Sequence, residues 1–119
     1  RISDPNDRDA MIYSDGAGAT IIEGRKTGKK TGILSHATRS DTYRHSHMLR
    51  MEESRNPNYQ ANDLFLTMEG HRLYKYALKT VPVLVKESID NAGLSIEDIN
   101  LVLLHQANEK MDIEILKRL

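Results

Sequence analysis

The rhythm of apolar positions changes several times along the chain, and each change marks a predicted element. Leu101 to Leu104 is an unbroken run of four apolar residues, which reads as a short strand buried on both faces inside an α/β sheet. The run stops at His105. Asn108 then offers a helix N-cap, and Glu109 and Asp112 put negative charge in the first turn, where the macrodipole favours it. Met111, Ile115, Leu116 and Leu119 follow at helical spacing. His105 thus falls at the carboxyl end of a predicted central strand, just ahead of a helix, which is where open α/β sheets bind ligands.

A longer helical stripe precedes this stretch. Leu64-Phe65-Leu66-Thr67 leads into it with Thr67 as the expected cap, and Leu73, Ala77, Val81, Leu84, Val85, Ile89 and Ala92 form its buried side. Pro82 removes one backbone hydrogen bond and is expected to kink or restart the helix. Gly93 should end it in a left-handed cap, and Ser95 to Asp98 should form the turn into Leu101.

The first third of the chain has the period of strands. Residues 1–9 read as loop, and Ala10 to Tyr13 begins a strand that small residues, Ser14 to Ala19, interrupt before Thr20 to Glu23 resumes it. Glycines so placed imply a bulge or a close backbone approach. A phosphate-cradling loop would require a helix at once, whereas Thr20-Ile21-Ile22 is β-branched. Arg25, Lys26, Lys29 and Lys30 then lie in a predicted hairpin turn, with Gly32 to Ala37 returning as a strand. From Thr38 to Asn62 the chain is polar and broken by Asn56-Pro57-Asn58, and reads as a lid or binding loop. His36, His45 and His47 fall on or near it with no Cys to join them, so they read as exposed loop histidines and no metal site is expected.

Composition narrows the function classes. The 119 residues make at most one small domain, and 17 basic against 17 acidic residues leave no net field for nucleic acid or an anionic membrane. No apolar run approaches the about 18 residues of a membrane span. With zero Cys there is no disulfide frame and no thiolate nucleophile within the chain. Cytoplasmic placement is expected. Both ends look cut, at Arg1 and at the apolar Leu119, so the chain reads as a piece of a longer polypeptide with open sheet edges.

One stretch is recognisable outright. His105-Gln106-Ala107-Asn108, preceded by Asp98-Ile99-Asn100-Leu101-Val102-Leu103-Leu104, resembles the histidine motif of the β-ketoacyl-acyl-carrier-protein synthase III family. Tyr13-Ser14-Asp15-Gly16-Ala17-Gly18-Ala19 is similar to that family's glycine-rich strand, with Ser14 where a Gly is usual. Leu66-Thr67-Met68-Glu69-Gly70, followed by Tyr74-Lys75, resembles the start of its helix beside the pantetheine tunnel. The three motifs fall in the family's order.

The resemblance implies an α/β, thiolase-like fold, here partial, with mixed sheets packed between helices. Residues 1–63 would be the end of the first half of that fold, with its last two strands and a long loop. Residues 64–119 would open the second half as helix, strand and helix. It also implies a decarboxylating condensing enzyme, which joins an acyl group from acyl-CoA to malonyl-acyl-carrier protein and starts fatty-acid chains. Related readings are a polyketide or secondary-metabolite synthase, and a non-catalytic homologue serving as a structural partner.

By the same resemblance His105 is catalytic and stabilises the thioester enolate formed on decarboxylation. Gly70, Tyr74 and Asn108 would bind the substrate's coenzyme A or pantetheine arm. Lys75 and Lys110 would receive the acidic carrier protein, Lys110 standing where the family has Arg, and His71 stands where an Asn is expected. The acylated Cys would precede Arg1 and the second stabilising residue, an Asn, would follow Leu119, leaving the piece alone inactive. No cofactor is implied beyond coenzyme A thioesters as substrate, no nucleic-acid or membrane partner is implied, and the parent is expected to be a homodimer.

Overall fold

The computed structural model describes residues 3–14, 16–106 and 108–119. They form a small mixed α/β chain with a two-stranded sheet. It divides into two units, Arg1–Gly24 with Asp41–Leu73, and Arg25–Ser40 with Tyr74–Leu119.

The first unit is built on an antiparallel pair, β1 (Leu49–Glu52) and β2 (Phe65–Met68), in the register Leu49 to Met68 through Glu52 to Phe65. In β2, Phe65 and Thr67 are buried while Leu66 and Met68 are half-buried, the period of two that a sheet with one covered face requires. The Glu69 N–H donates to the Met48 carbonyl at 2.8 Å, carrying the pairing one step beyond the strands. Met48 is buried beside the sheet's end, and the Tyr59 ring stands edge-on to Phe65 with centroids 5.4 Å apart.

Four expectations are corrected in this unit. The stretch from Thr38 to Asn62, read as one long loop, holds a one-turn helix, α1 (Thr42–His45), and all of β1. Thr67 does not cap the long helix, because it lies inside β2 with its side chain buried. The strand expected from Ala10 is replaced by a 3-10 turn, Arg8–Ile12. Its cause is local: Asp7 Oδ1 accepts the Asp9 N–H at 3.0 Å and the Asp4 carbonyl accepts the Asp7 N–H at 3.0 Å, side-chain and turn bonds that compete with an extended chain. Thr20 to Glu23 forms no strand either, and Ile21 is 96% exposed.

Asp4 pins this N-terminal turn in place. Its carboxylate accepts the Asn6 N–H and side-chain amide at 2.9 and 3.0 Å, the Ser54 hydroxyl at 2.9 Å and the Arg55 N–H at 2.7 Å. Burial pushes the carboxyl's pKa up, but these donors outweigh it and hold the group at about 2. Arg55 also pairs with the buried Asp7 at 3.2 Å.

The second unit holds most of α2 (Gly70–Asn91), which begins in the first unit, and all of α3 (Glu109–Leu116). The helix α2 runs without a break through Pro82, which is buried, so the proline does not restart it. Its end is as expected: Gly93, at φ 71°, donates to the Asp90 carbonyl at 2.9 Å while Leu94 donates to the Ile89 carbonyl at 3.2 Å, the paired bonds of a Schellman cap. Ser95 then starts a 3-10 turn, Ile96–Asp98, in which the Asp98 carboxylate accepts both the Ser95 N–H and hydroxyl. Those two bonds draw its pKa below the usual carboxylate value.

Residues 32–37, read as a returning strand, form none. This segment is held instead to α2, where Ser35 Oγ donates to the Ser88 carbonyl at 2.5 Å and Arg39 pairs with Glu87 at 2.7 Å. The apolar run 101–104 is likewise not a strand. Leu101 and Leu103 are 71% and 82% exposed, while Val102 and Leu104 are half-buried. A strand exists only as one side of a ladder, and no neighbour among the described residues pairs with this run. In α3 only Ile115 is fully buried. No helix among the described residues is long and apolar enough to cross a membrane.

Candidate functional site

His105 lies between the apolar run and α3, exposed, on a stretch that is neither helix nor strand. Two side chains fold back on the backbone around it. The Gln106 amide donates from Nε2 to the Leu104 carbonyl at 2.7 Å, spanning His105. Asn108 Oδ1 accepts the Met111 N–H at 2.9 Å, making Asn108 the N-cap that its position predicted. Glu109 and Asp112 occupy the first turn of α3, also as expected. Ala107, the third residue of the motif, lies outside the described residues, as does Asp15 of the glycine-rich stretch.

A shallow cavity of about 330 Å³ opens against the start of α3, lined by Gln106, Asn108, Glu109, Asp112, Ile113 and Leu116. Its exposed surface is mostly carbon, because Ile113 and Leu116 recur three apart and the polar residues contribute their stems. Asp112 Oδ1 is buried with no hydrogen-bond partner among the described residues. Sequence reasoning placed Asn108 here but missed the cavity and the tie from Gln106. The spacing of Ile113 and Leu116 was the available signal for the first. For the second there was none, since any Gln two residues beyond a carbonyl has the reach.

The other expected site residues are spread over both units. Gly70 is the first residue of α2 and belongs to the first unit. A Cβ built there would meet only Met68 Cε, at an ordinary 3.5 Å, so the fold around it leaves room for a side chain. Tyr74 is half-buried on α2 and Lys75 exposed beside it, while Lys110 is exposed in the first turn of α3. His71 is exposed one position after Gly70. Of all these, Asn108 alone lines the cavity. The described residues hold no group of three or more His, Cys, Asp or Glu arranged to take a metal ion.

Against curated proteins, the chain is similar to β-ketoacyl-[acyl-carrier-protein] synthase III from Prochlorococcus marinus subsp. pastoris, 32% identical over an alignment of 117 residues that covers 91% of this chain and 34% of that enzyme. The same-named enzyme of Rhizobium johnstonii is 32% identical over 93% of this chain and 35% of its own length. That of Alkalilimnicola ehrlichii is 34% identical over 91% and 33%. The chain therefore spans about a third of the length of the relatives it matches. No family model matches it, and neither does any solved structure. The resemblance read from the His105 motif thus holds along nearly the whole chain, as a likeness to one segment of these synthases.

Proposed function

We propose that this segment, alike to β-ketoacyl-acyl-carrier-protein synthase III over nearly all its residues, is part of a decarboxylating condensing enzyme of thiolase-like fold. Its residues 1–63 end one half of that fold and 64–119 begin the other. The enzyme joins an acyl group from acyl-CoA to malonyl-acyl-carrier protein and gives a β-ketoacyl product. The observation that carries this reading is His105 standing exposed just before a helix capped by Asn108, in the order of the family's motif.

Decarboxylation of a malonyl thioester breaks a carbon–carbon bond and leaves its electron pair delocalised onto the thioester oxygen as an enolate. A neutral imidazole N–H aimed at that oxygen stabilises the charge as it develops. One such donor typically supplies about 2.7–4 kcal/mol in the transition state. An exposed His105 is open to a thioester brought to it. The nucleophile that carries the acyl group is a Cys outside these residues, for the chain contains none. Gly70, Tyr74 and Asn108 would line the path of the pantetheine arm, and Lys75 and Lys110, both exposed, would meet acidic carrier protein.

The test is His105→Ala in the full-length protein, followed through two half-reactions. Radiolabel transfer from acyl-CoA to the enzyme should survive. Carbon dioxide release from malonyl-carrier protein should fall about a hundredfold or more. Normal release by the folded variant removes His105 from the mechanism, and absence of both half-reactions in the wild-type protein would favour a non-catalytic structural partner.

A further inference from the structure

We infer that Arg50 and Arg72 mask the charge of Glu69 from the phosphates of the incoming substrate, so that these three residues set affinity for its phosphorylated arm. The inference rests on the pantetheine path proposed to pass Gly70, the next residue. Glu69 is the sole acid between Leu64 and Lys86, a stretch that also holds His71, Arg72, Lys75 and Lys79. It stands at the start of α2, where its carbonyl accepts the Leu73 N–H at 3.0 Å and where negative charge suits the helix. Each oxygen of its carboxylate goes to a different arginine. Oε2 accepts from Arg72 Nη1 at 2.6 Å, and Oε1 accepts from Arg50 Nη1 at 3.4 Å. Arg50 is itself anchored on β1, with Nη1 donating to the His47 carbonyl at 2.6 Å and Nε to Glu52 Oε1 at 2.9 Å. Hairpin and helix thus close on the Glu69 carboxylate from two sides, and all of these bonds are made within the first unit.

The chemistry gives the mask a purpose. A pantetheine arm arrives attached to phosphate, as a diphosphate in coenzyme A and as a phosphodiester on carrier protein. A bare carboxylate beside its path repels it over a Debye length of about 8 Å at physiological salt. Repulsion of that kind weakens binding and leaves the chemical step alone, so it raises KM without lowering kcat. The chain of Glu52, Arg50, Glu69 and Arg72 alternates in sign, and its formal charges cancel. Without the two arginines, two carboxylates remain with no cation among them. With side chains 27% and 32% exposed, Arg50 and Glu69 interact through a medium that screens less than bulk water.

The experiment uses the full-length protein and follows its acylation by acyl-CoA, with acyl-pantetheine, which carries no phosphate, as the uncharged probe. The double variant Arg50→Met, Arg72→Met should raise KM for acyl-CoA about tenfold and leave kcat unchanged. The rise should shrink as salt goes from about 0.05 to about 0.5 M, and KM for acyl-pantetheine should not move. Adding Glu69→Gln to the double variant should return most of the lost affinity. Glu69→Gln alone should leave KM for acyl-CoA at or below wild type. Wild-type KM in the double variant overturns the inference, as does an equal rise for acyl-pantetheine, the mark of a misplaced helix start. So does a failure of Glu69→Gln to rescue, because the arginines would then hold the phosphates themselves. Should the double variant not fold, Arg72→Met, on a side chain 54% exposed, carries the same comparisons with a smaller shift. A folded wild-type protein that acyl-CoA does not acylate overturns the functional reading, and this inference with it.

Discussion

Arg118 Nη1 donates to the Leu78 carbonyl at 2.8 Å, and Leu78 is the residue whose helical donor Pro82 takes away. Within α2 the N–H of residue 82 would serve that carbonyl, but proline has none. The guanidinium just beyond α3 supplies the missing proton. In the opposite sense, Lys86 Nζ donates to the Arg118 carbonyl at 2.8 Å, so the end of α3 is bound on both sides of the proline. The carbonyl that the proline leaves without its helical donor is thus satisfied from outside the helix.

This pairing predicts a coupling. Arg118→Met should cost about 1 kcal/mol in the wild-type protein, the net worth of a hydrogen bond. In a Pro82→Ala background, where the backbone N–H returns, the same change should cost close to nothing. Denaturant unfolding of the four proteins checks it, and equal costs in both backgrounds would mean that Arg118 does not stand in for the missing donor.

Asn108 serves two roles that can be separated. Asn108→Ala should lose the cap of α3, about 1 kcal/mol. Asn108→Asp keeps the capping oxygen and adds charge favoured at a helix start, but removes the amide N–H donors. Thermal melts should place the Asp variant at or above wild type. If Asn108 holds the substrate arm through its amide, that stable variant should still show a raised KM for acyl-CoA; an unchanged KM confines Asn108 to capping.

Gly70 gives the complementary case. Its φ is not positive, and a Cβ meets only Met68 Cε at 3.5 Å, so the fold itself does not require glycine there. Gly70→Ala should leave stability unchanged or raise it by up to about 1 kcal/mol through helix propensity. The proposed pantetheine path predicts a rise in KM for acyl-CoA at the same time. A variant stabilised with KM untouched would take Gly70 off that path.

Acid should release the N-terminal turn. Asp4 is held at about 2 in the folded protein, below its ordinary 3.8, so it is the folded state that binds the proton more weakly. Its stabilising contribution is therefore present above about pH 4 and is lost as the pH falls from there through 2. The Arg55 amide resonance should report a titration with its midpoint near 2. Asp4→Asn should abolish that step, and a midpoint near 3.8 in the wild type would show that the four donors do not act on the carboxylate.

The parts legible in the sequence are those determined within a turn or two. The stripe of α2, the glycine that ends it and the Asn108 cap follow from chemistry between residues at most five positions apart. The hairpin of β1 and β2 was not legible, because Leu49-Arg50-Met51-Glu52 has only half a face to hide and its partner lies 13 to 19 positions away. The runs 20–23, 32–37 and 101–104 show the converse. Their composition declares a strand, yet pairing requires a neighbour that composition does not supply. At the site, the position of His105 and the cap were readable. The bond from the Gln106 amide to the Leu104 carbonyl was not, since it depends on a rotamer rather than on a residue type.

The bond from Ser35 to Ser88 sets a waiting time during synthesis. Fifty-three positions separate the two residues, so at translation rates the helix that receives Ser35 leaves the ribosome roughly 3–10 s after it. Throughout that interval Ile33 and Leu34, still 79% and 47% exposed after folding, travel without the anchor that Ser35 gives this segment in the folded chain. Chaperone dependence and loss to inclusion bodies should therefore concentrate on this segment of the nascent chain, and slowing the ribosome over the codons for residues 40–90 should aggravate both.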